Sequence, residues 1–402
     1  MTLPTTRAHG CPFDPPPELA PLEPITPLRY PDGHLGWLVT GFTAARTVLS
    51  DPRFSNRPEL RHIPVLEHVP EAESVTDAVA EHETDEAMPG WFVNMDRPEH
   101  TRYRRLLTRY FTRNRLAALE PRIEEITAAQ LRVLADAGRP ADLVSTFAMP
   151  ISSTVICELL GVPYADHERF QEWTRTVVDL EAPRAEADAA FEALYGYLAD
   201  LVRDKRTRAG DDMLGELVAT GELTDEELAS IAMILLVAGY EPTANMIALG
   251  AFALLEHPAQ LAQIRADPAI ADNAFDELMR YLTIAHQGAP NRAALEDVEV
   301  AGVLVSAGQT VTVSLPAANR DGAAFPDPDE LDLTRAEAGR HLGFGHGLHQ
   351  CLGQHLAKIQ VRIAYLELFA AFPALRLAVP ATDVPLREHS TNRGVRELLV
   401  TW

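Results

Sequence analysis

The residues with the clearest chemistry lie in the run Phe344-Gly345-His346-Gly347-Leu348-His349-Gln350-Cys351-Leu352-Gly353. It sets one thiol after a glycine-rich turn and before a long amphipathic stretch, Leu352 to Phe369. A cysteine there stands at a helix N-terminus, where unpaired backbone N–H groups and the helix dipole favour the thiolate. Gly345, Gly347 and Gly353 let the backbone fold closely around the sulfur and let a flat partner approach. A soft, electron-rich thiolate in that setting suits iron. The plain alternative is a structural cysteine, since a free thiol is commonly a small buried hydrophobe. Phe344, His349 and the glycines weigh against it.

Three further groups carry chemistry. Ala238-Gly239-Tyr240-Glu241-Pro242-Thr243 lies inside the strongly apolar run Ile231 to Leu255. Pro242 has no N–H, so a helix there frees the carbonyl of Ala238 and kinks locally. Glu277-x-x-Arg280 puts both charges on one helix face. As a surface pair it would be worth little. His100-Thr101-Arg102-Tyr103-Arg104 opens a basic helix that continues through Arg105, Arg109, Arg113 and Arg115. A solvated basic face explains that run equally well.

The elements around these groups are mostly helical. From Glu99 to Leu282 apolar residues recur with helical spacing. Thr224-x-x-Glu227 is a capping box. It predicts a helix from there to about His257, stopped by Pro258 and roughly 50 Å long. Leu35–Val39 reads as a strand, 297–315 as a strand pair turning at Ala307-Gly308, and 384–402 as another short pair. Residues 1–28 are proline-rich and read as an irregular arm. Arg57 to Pro89 is acidic and proline-interrupted, a long loop with one short helix, of the kind that often serves as a lid.

Composition narrows the classes. With 402 residues, 47% of them hydrophobic, the chain can build one large core, and a single domain over 1–402 is expected. The net charge of −23 argues against nucleic acid. Cys11, Cys157 and Cys351 are odd in number and far apart, which suggests no disulfide framework and fits a reducing cytoplasm. Glu241 and Pro242 interrupt the apolar run at its centre, so it reads as a buried core helix and not a membrane span.

The pattern F-x-x-G-x-x-x-C-x-G resembles the haem-binding loop of the cytochrome P450 family, of the soluble bacterial type. The other motifs follow in family order across nearly the whole chain. The resemblance implies a mainly α (α+β) fold, a triangular helical prism with small β-sheets. It implies haem b, with Cys351 as axial ligand of the iron and Phe344, Gly345 and Gly353 shaping the loop. His100, Arg104, Arg292 and His349 take the places of propionate contacts, with Asn291 standing as an extra residue between Pro290 and Arg292. Glu277, Arg280 and Arg335 take those of a structural triad that locks the cysteine loop. The family pattern Ala-Gly-x-Glu/Asp-Thr-Thr falls on Ala238, Gly239, Glu241, Pro242 and Thr243, with proline in place of the first threonine. That threonine and the acid help deliver protons to dioxygen in the family.

By family position the substrate pocket is lined by Trp91, Phe92, Val93, Val237, Ala238, Glu241, Pro242, Ile284, Ala285, His286, Thr391 and Asn392. The implied activity is a monooxygenase that hydroxylates or epoxidises a small natural-product intermediate. Its electrons come from NAD(P)H through a separate ferredoxin reductase and ferredoxin. The basic helix would dock the ferredoxin near Arg102, Arg105, Arg109 and Arg113. The chain is expected to be a cytoplasmic monomer that binds neither nucleic acid nor membrane. Three readings of Pro242 stand open: water or a substrate hydroxyl supplies the protons; the enzyme favours oxidative C–C, C–N or C–O coupling of an aromatic or peptide substrate; or the proline only shapes the pocket. A non-catalytic haem-thiolate sensor is a further alternative.

Overall fold

The structure is a computed structural model of the chain and describes residues 1–7, 11–64, 88–178, 182–208, 210–285, 290–387 and 392–402. Two compact units are distinguished: Met1–His68, Thr127–Ala148 and Ala244–Trp402 form one, Val69–Ile126 and Met149–Thr243 the other.

The first unit holds the β structure. Its five-stranded sheet has the spatial order Ile25–Arg29, Leu35–Val39, Thr310–Val313, Asn291–Ala294, Phe54–Ser55. Leu35–Val39 is the strand expected, and it runs parallel to Thr310–Val313 while the other pairs are antiparallel. Thr310–Val313 is central and buried at all four residues. Its alternating Thr and Val suit that place, because β-branched side chains fit a pleated surface packed on both faces. The sheet closes on a core that includes Val39, Phe42, Val48, Val305, Val313 and Phe325.

Three expectations need correction here. The hairpin after Asp297 is shorter and turns earlier: Val298–Val300 pairs with Val303–Val305 across Ala301 and Gly302, both at positive φ (49° and 80°). Ala307-Gly308 instead leads the chain into the five-stranded sheet. Side chains close that turn, with Asp297 Oδ1 accepting the Ala307 N–H and Gln309 Oε1 the Ser306 N–H, each at 2.9 Å. Among the described residues the C-terminal pair reduces to a Leu386–Val395 bridge, and Leu399–Thr401 joins Ala141–Asp142 and Arg376–Leu377. The N-terminal arm is not wholly irregular. It forms a short 3-10 turn at Pro17–Leu19 and the edge strand Ile25–Arg29, and it buries Phe13. Of the Arg57–Pro89 loop, residues 65–87 lie outside the described ones, and Pro58–Leu60 forms a 3-10 turn.

The second unit is helical. In Met213–Thr220 the Asp212 carboxylate caps the first turn by accepting the Gly215 N–H at 2.8 Å, and Gly221 ends the helix at φ 67°. The central helix, Asp225–Glu256, belongs to this unit up to Thr243 and to the first from Ala244; it has 32 residues and so spans roughly 48 Å. Its capping box is formed: the Thr224 N–H donates to Glu227 Oε2 at 2.8 Å and the Glu227 N–H to Thr224 Oγ1 at 3.1 Å. The helix continues unbroken through Pro242. Pro258 follows its end and opens the next helix, Pro258–Ala266, where a missing N–H costs nothing. Among the described residues this is the one helix long and apolar enough to cross a membrane. It is a core helix: 72% of its most apolar stretch is buried inside the fold.

Candidate active site

The cysteine loop is built by backbone geometry. The Cys351 N–H donates to the Phe344 carbonyl at 2.9 Å and the Gly345 N–H to the Leu342 carbonyl at 2.8 Å. Gly345 and Gly347 sit at φ 69° and 74°, where a side chain is strained. A Cβ on Gly347 would meet the Leu49 carbonyl at 2.5 Å, so the loop lies hard against the helix Phe42–Ser50. At Gly345 and Gly353 the same atom would meet nothing within 4 Å. The thiol is half-buried, as are Phe344, Leu348 and Leu352. The helix Gln354–Ala371 starts directly after this loop.

Two supports of the loop were not anticipated. His341 Nδ1 accepts the Gly343 N–H at 3.0 Å. Burial, reinforced by the charges of Lys358 and Arg280, pulls its pKa down to about 3, so it stays a neutral acceptor. Asp276 meets Lys358 at 2.8 Å behind it. The only sequence signal was the position of His341 two residues before Gly343.

The acid–arginine triad is assembled and buried. Glu277 takes Arg280 Nε at 2.7 Å and Nη2 at 2.8 Å, and Arg335 Nε at 3.1 and 3.2 Å on its two oxygens. Glu277 and Arg280 are fully buried and Arg335 nearly so. The remaining guanidinium N–H groups go to backbone carbonyls. Arg280 reaches Asn319, Pro328 and Glu330, and Arg335 reaches Pro326, Asp327 and Glu330. Asn319 carries the restraint onward, since its Oδ1 accepts the Leu342 N–H at 2.7 Å, one turn before the cysteine loop. Its Nδ2 also fixes Thr283, a non-glycine residue at φ 39° next to Ile284.

The other nitrogen donors are spread over both units. Arg292 is buried in the sheet, and its Nη1 donates to Asn56 Oδ1 at 2.6 Å. The extra residue Asn291 is absorbed as the first residue of that strand, its Oδ1 accepting from Thr312 Oγ1 at 2.8 Å. His349 is half-buried in a 3-10 turn of the cysteine loop. In the other unit His100 is buried, and Arg104, one turn on, is half-exposed. Burial first, then the charges of Arg104 and Arg97, lower the His100 pKa to about 4. It is therefore a neutral N–H donor near pH 7. The basic helix is shorter than expected: it spans Glu99–Thr108, a 3-10 turn takes Arg109–Phe111, and Arg113 and Arg115 lie on a separate short helix, Arg113–Ala117, after the extended Thr112. Nor is this run of arginines unopposed. Arg102 pairs with Glu227 at 2.5 Å, Arg105 with Glu222 at 3.2 Å, and Arg115 with Glu216. Arg109 stacks on Tyr110 at 4.8 Å, and Arg113 is exposed.

The central helix opens in its middle. It is buried from Leu228 to Leu236 and again from Thr243 to Leu254. Between these, Ala238 is exposed and Val237, Gly239 and Pro242 are half-exposed, while Glu241 stays buried. Ala238 and Pro242 are four residues apart and share a face. Gly239 serves packing: a Cβ there would stand 2.9 Å from Ile156 Cδ1. Of the remaining pocket positions, Phe92 is buried with Trp91 and Val93 half-buried beside it, and a backbone bridge joins Ala285 to Asn392. His286 and Thr391 lie outside the described residues.

Among the described residues, no three or more His, Cys, Asp or Glu side chains are arranged to hold a metal ion. A metal at Cys351 would have to arrive with most of its ligands. The residues of the first unit fit iron carried in a porphyrin: Cys351 would hold the metal, Gly345 and Gly353 leave open space beside the loop, and Arg292 and His349 offer N–H donors to carboxylates.

Comparison with known proteins identifies the family. The family described as cytochrome P450 matches residues 200–395. Cytochrome P450 105C1 from a Streptomyces species is 47% identical over all of this chain and 98% of its own length. Pentalenic acid synthase from Streptomyces avermitilis is 43% identical over 98% of this chain and 95% of its own. The crystal structure of cytochrome P450 MoxA from Nonomuraea recticatena covers all of this chain and 98% of its own at 42% identity and a TM-score of 0.90.

Proposed function

The chain belongs to the cytochrome P450 family of haem-iron monooxygenases, and on that premise we propose that it hydroxylates or epoxidises a small natural-product intermediate. Its electrons would come from NAD(P)H through a separate ferredoxin reductase and ferredoxin. The observation that carries the reading is the half-buried Cys351 thiol on a loop whose Gly345 and Gly353 face open space. Relatives named for biosynthetic steps, such as pentalenic acid synthase, support the substrate class.

When bound, the haem supplies dioxygen activation and O–O cleavage. Cys351 holds the iron. The triad, Asn319 and His341 keep the Cys351 loop in place. His100, Arg104, Arg292 and His349 would hold the propionates, the histidines by ring N–H groups and the arginines by charge. Proton supply is assigned to the open stretch of the central helix. Pro242 cannot donate to the Ala238 carbonyl, so that oxygen is left to hold a water, with the buried Glu241 one residue before the proline as the acid. A substrate hydroxyl can take the water's place.

A second reading, oxidative coupling of an aromatic or peptide substrate, is favoured by the missing hydroxyl at position 242. Docking of ferredoxin near Arg102, Arg105, Arg109 and Arg113 rests mainly on Arg105 and Arg113. The Arg105 side chain is 70% exposed and its partner Glu222 50% exposed, so that pair is weak and can be exchanged for a carrier's carboxylate. Three free thiols support a reducing cytoplasm, where we place the protein as a monomer.

The test is an optical titration of the haem spin state against macrolides, terpenes, aromatic cyclic dipeptides and larger phenolic peptides. A shift to high spin with aliphatic macrolides or terpenes supports hydroxylation. A shift only with aromatic peptides moves the reading to coupling. No shift with any class, in the holoenzyme, overturns a free small-molecule substrate.

A further inference from the structure

The N-terminal arm ends in a cluster of cations that the active site does not use. Arg7 feels the charge of Arg320, and Arg393 feels the charges of both Arg7 and Arg320. Arg393 is 1% exposed and the Arg320 side chain 5%. Arg393 donates from Nη1 to the Phe13 carbonyl at 2.9 Å, and its main-chain N–H to the Ile284 carbonyl at 2.7 Å. Arg320 lies 4.1 Å over the Tyr281 ring. Its Nη2 donates to the Tyr281 carbonyl at 3.0 Å and to Asp14 Oδ1 at 3.3 Å, and its Nη1 to Asp329 at 2.9 Å. Arg7 donates to the Asp14 carbonyl.

Among the described residues Arg393 makes no ion pair with a carboxylate, Asp14 acting on it only at longer range, and neither its Nη2 nor Arg320 Nε has a hydrogen-bond acceptor. The two acids that face the cluster are partly in water, Asp14 at 39% and Asp329 at 79% exposed. Arginine does not escape burial by losing its proton. A fully buried guanidinium without a counter-charge is strongly unfavourable unless something supplies one. Burial and like charge act on these groups as expected, drawing Arg7 down to about 10 and Arg393 below its ordinary value.

We infer that Arg7, Arg320 and Arg393 form a binding site for a small inorganic anion, which pins the N-terminal arm to the chain around Arg393. Guanidinium N–H groups recognise oxyanions in a fixed fork geometry, so phosphate is the natural probe and chloride the simpler competitor. The site has a functional neighbour. Arg393 directly follows Asn392, which bridges Ala285, and it holds Ile284. Anion occupancy therefore stiffens one edge of the proposed substrate pocket.

The test is thermal unfolding and calorimetric titration of the holoenzyme with inorganic phosphate or chloride at constant ionic strength. Saturable stabilisation is expected, distinct from the non-saturating effect of excluded salts. Arg393→Gln keeps a donor for the Phe13 carbonyl and should lose the saturable part. If that variant fails to fold, Asp14→Asn decides. Removing the competing carboxylate should tighten phosphate binding by about fivefold. A merely structural role for Asp14 would lower stability at every phosphate concentration without changing affinity. No saturable response in the wild type, or an unchanged response in either variant, overturns the site.

Discussion

Pro242→Thr is the perturbation that separates structure from chemistry in the central helix. In a helix interior, proline costs about 3 kcal/mol and threonine about 0.6 kcal/mol relative to alanine. The helix runs unbroken through Pro242, so a threonine N–H would find the Ala238 carbonyl one turn back. Ala238 is exposed, so solvent reaches this part of the helix and offsets part of that gain. The difference still leaves an expected gain of about 2 kcal/mol, read as a raised urea midpoint of the holoenzyme at unchanged slope. The new hydroxyl would enter the open face shared with Ala238. Under the proton-supply reading, more of the electrons consumed should then end in oxygenated product and fewer in released hydrogen peroxide. Two results refute the reasoning. A lower midpoint means that proline is not a helix defect here but a fitted part of the packing. A higher midpoint with the same products and the same peroxide yield means that position 242 shapes the pocket and plays no part in proton supply.

Three further outcomes are expected. Glu277→Gln leaves Arg280 and Arg335 buried without their shared counter-charge, and should cost about 3–5 kcal/mol in stability, measured by denaturant unfolding or as lost haem incorporation. Burial pushes the Glu227 carboxyl up, but hydrogen bonds from Arg102, the Thr224 N–H and Tyr103 outweigh it and hold the group at about 2. Its folded pKa is depressed, so its stabilisation is complete above 4.5 and is lost as pH falls towards 2. Glu227→Gln should flatten that acid-side loss in melting curves taken from pH 6 to pH 2. Charge reversal at Arg105 and Arg113 should slow ferredoxin-driven reduction, most at low salt; unchanged rates would remove the docking role.

What could be read from the sequence was what is decided within a few residues. The capping box of Thr224 and Glu227, the strand Leu35–Val39 and the Glu277–Arg280 pair all arise from spacing along one element. What could not be read was the choice of distant partner. Ala307-Gly308 has the composition of a hairpin turn, yet Ala301-Gly302 makes the hairpin, because Thr310–Val313 is claimed by a sheet whose other strands begin at residue 25. The basic helix after His100 reads as an open patch, yet Glu216, Glu222 and Glu227, more than a hundred residues later, oppose three of its arginines. The same blindness works in reverse at Arg393. Thr391 and Asn392 beside it were read as pocket positions, but nothing in the sequence singled out Arg393 itself, and only the fold reveals it as a buried cation joined to Phe13, 380 residues earlier. Local patterns thus identified the groups proposed to bind and react. The groups that restrain them, Asn319, His341 and Arg393, are visible only once the chain has folded, because each acts on backbone brought to it from elsewhere in the sequence.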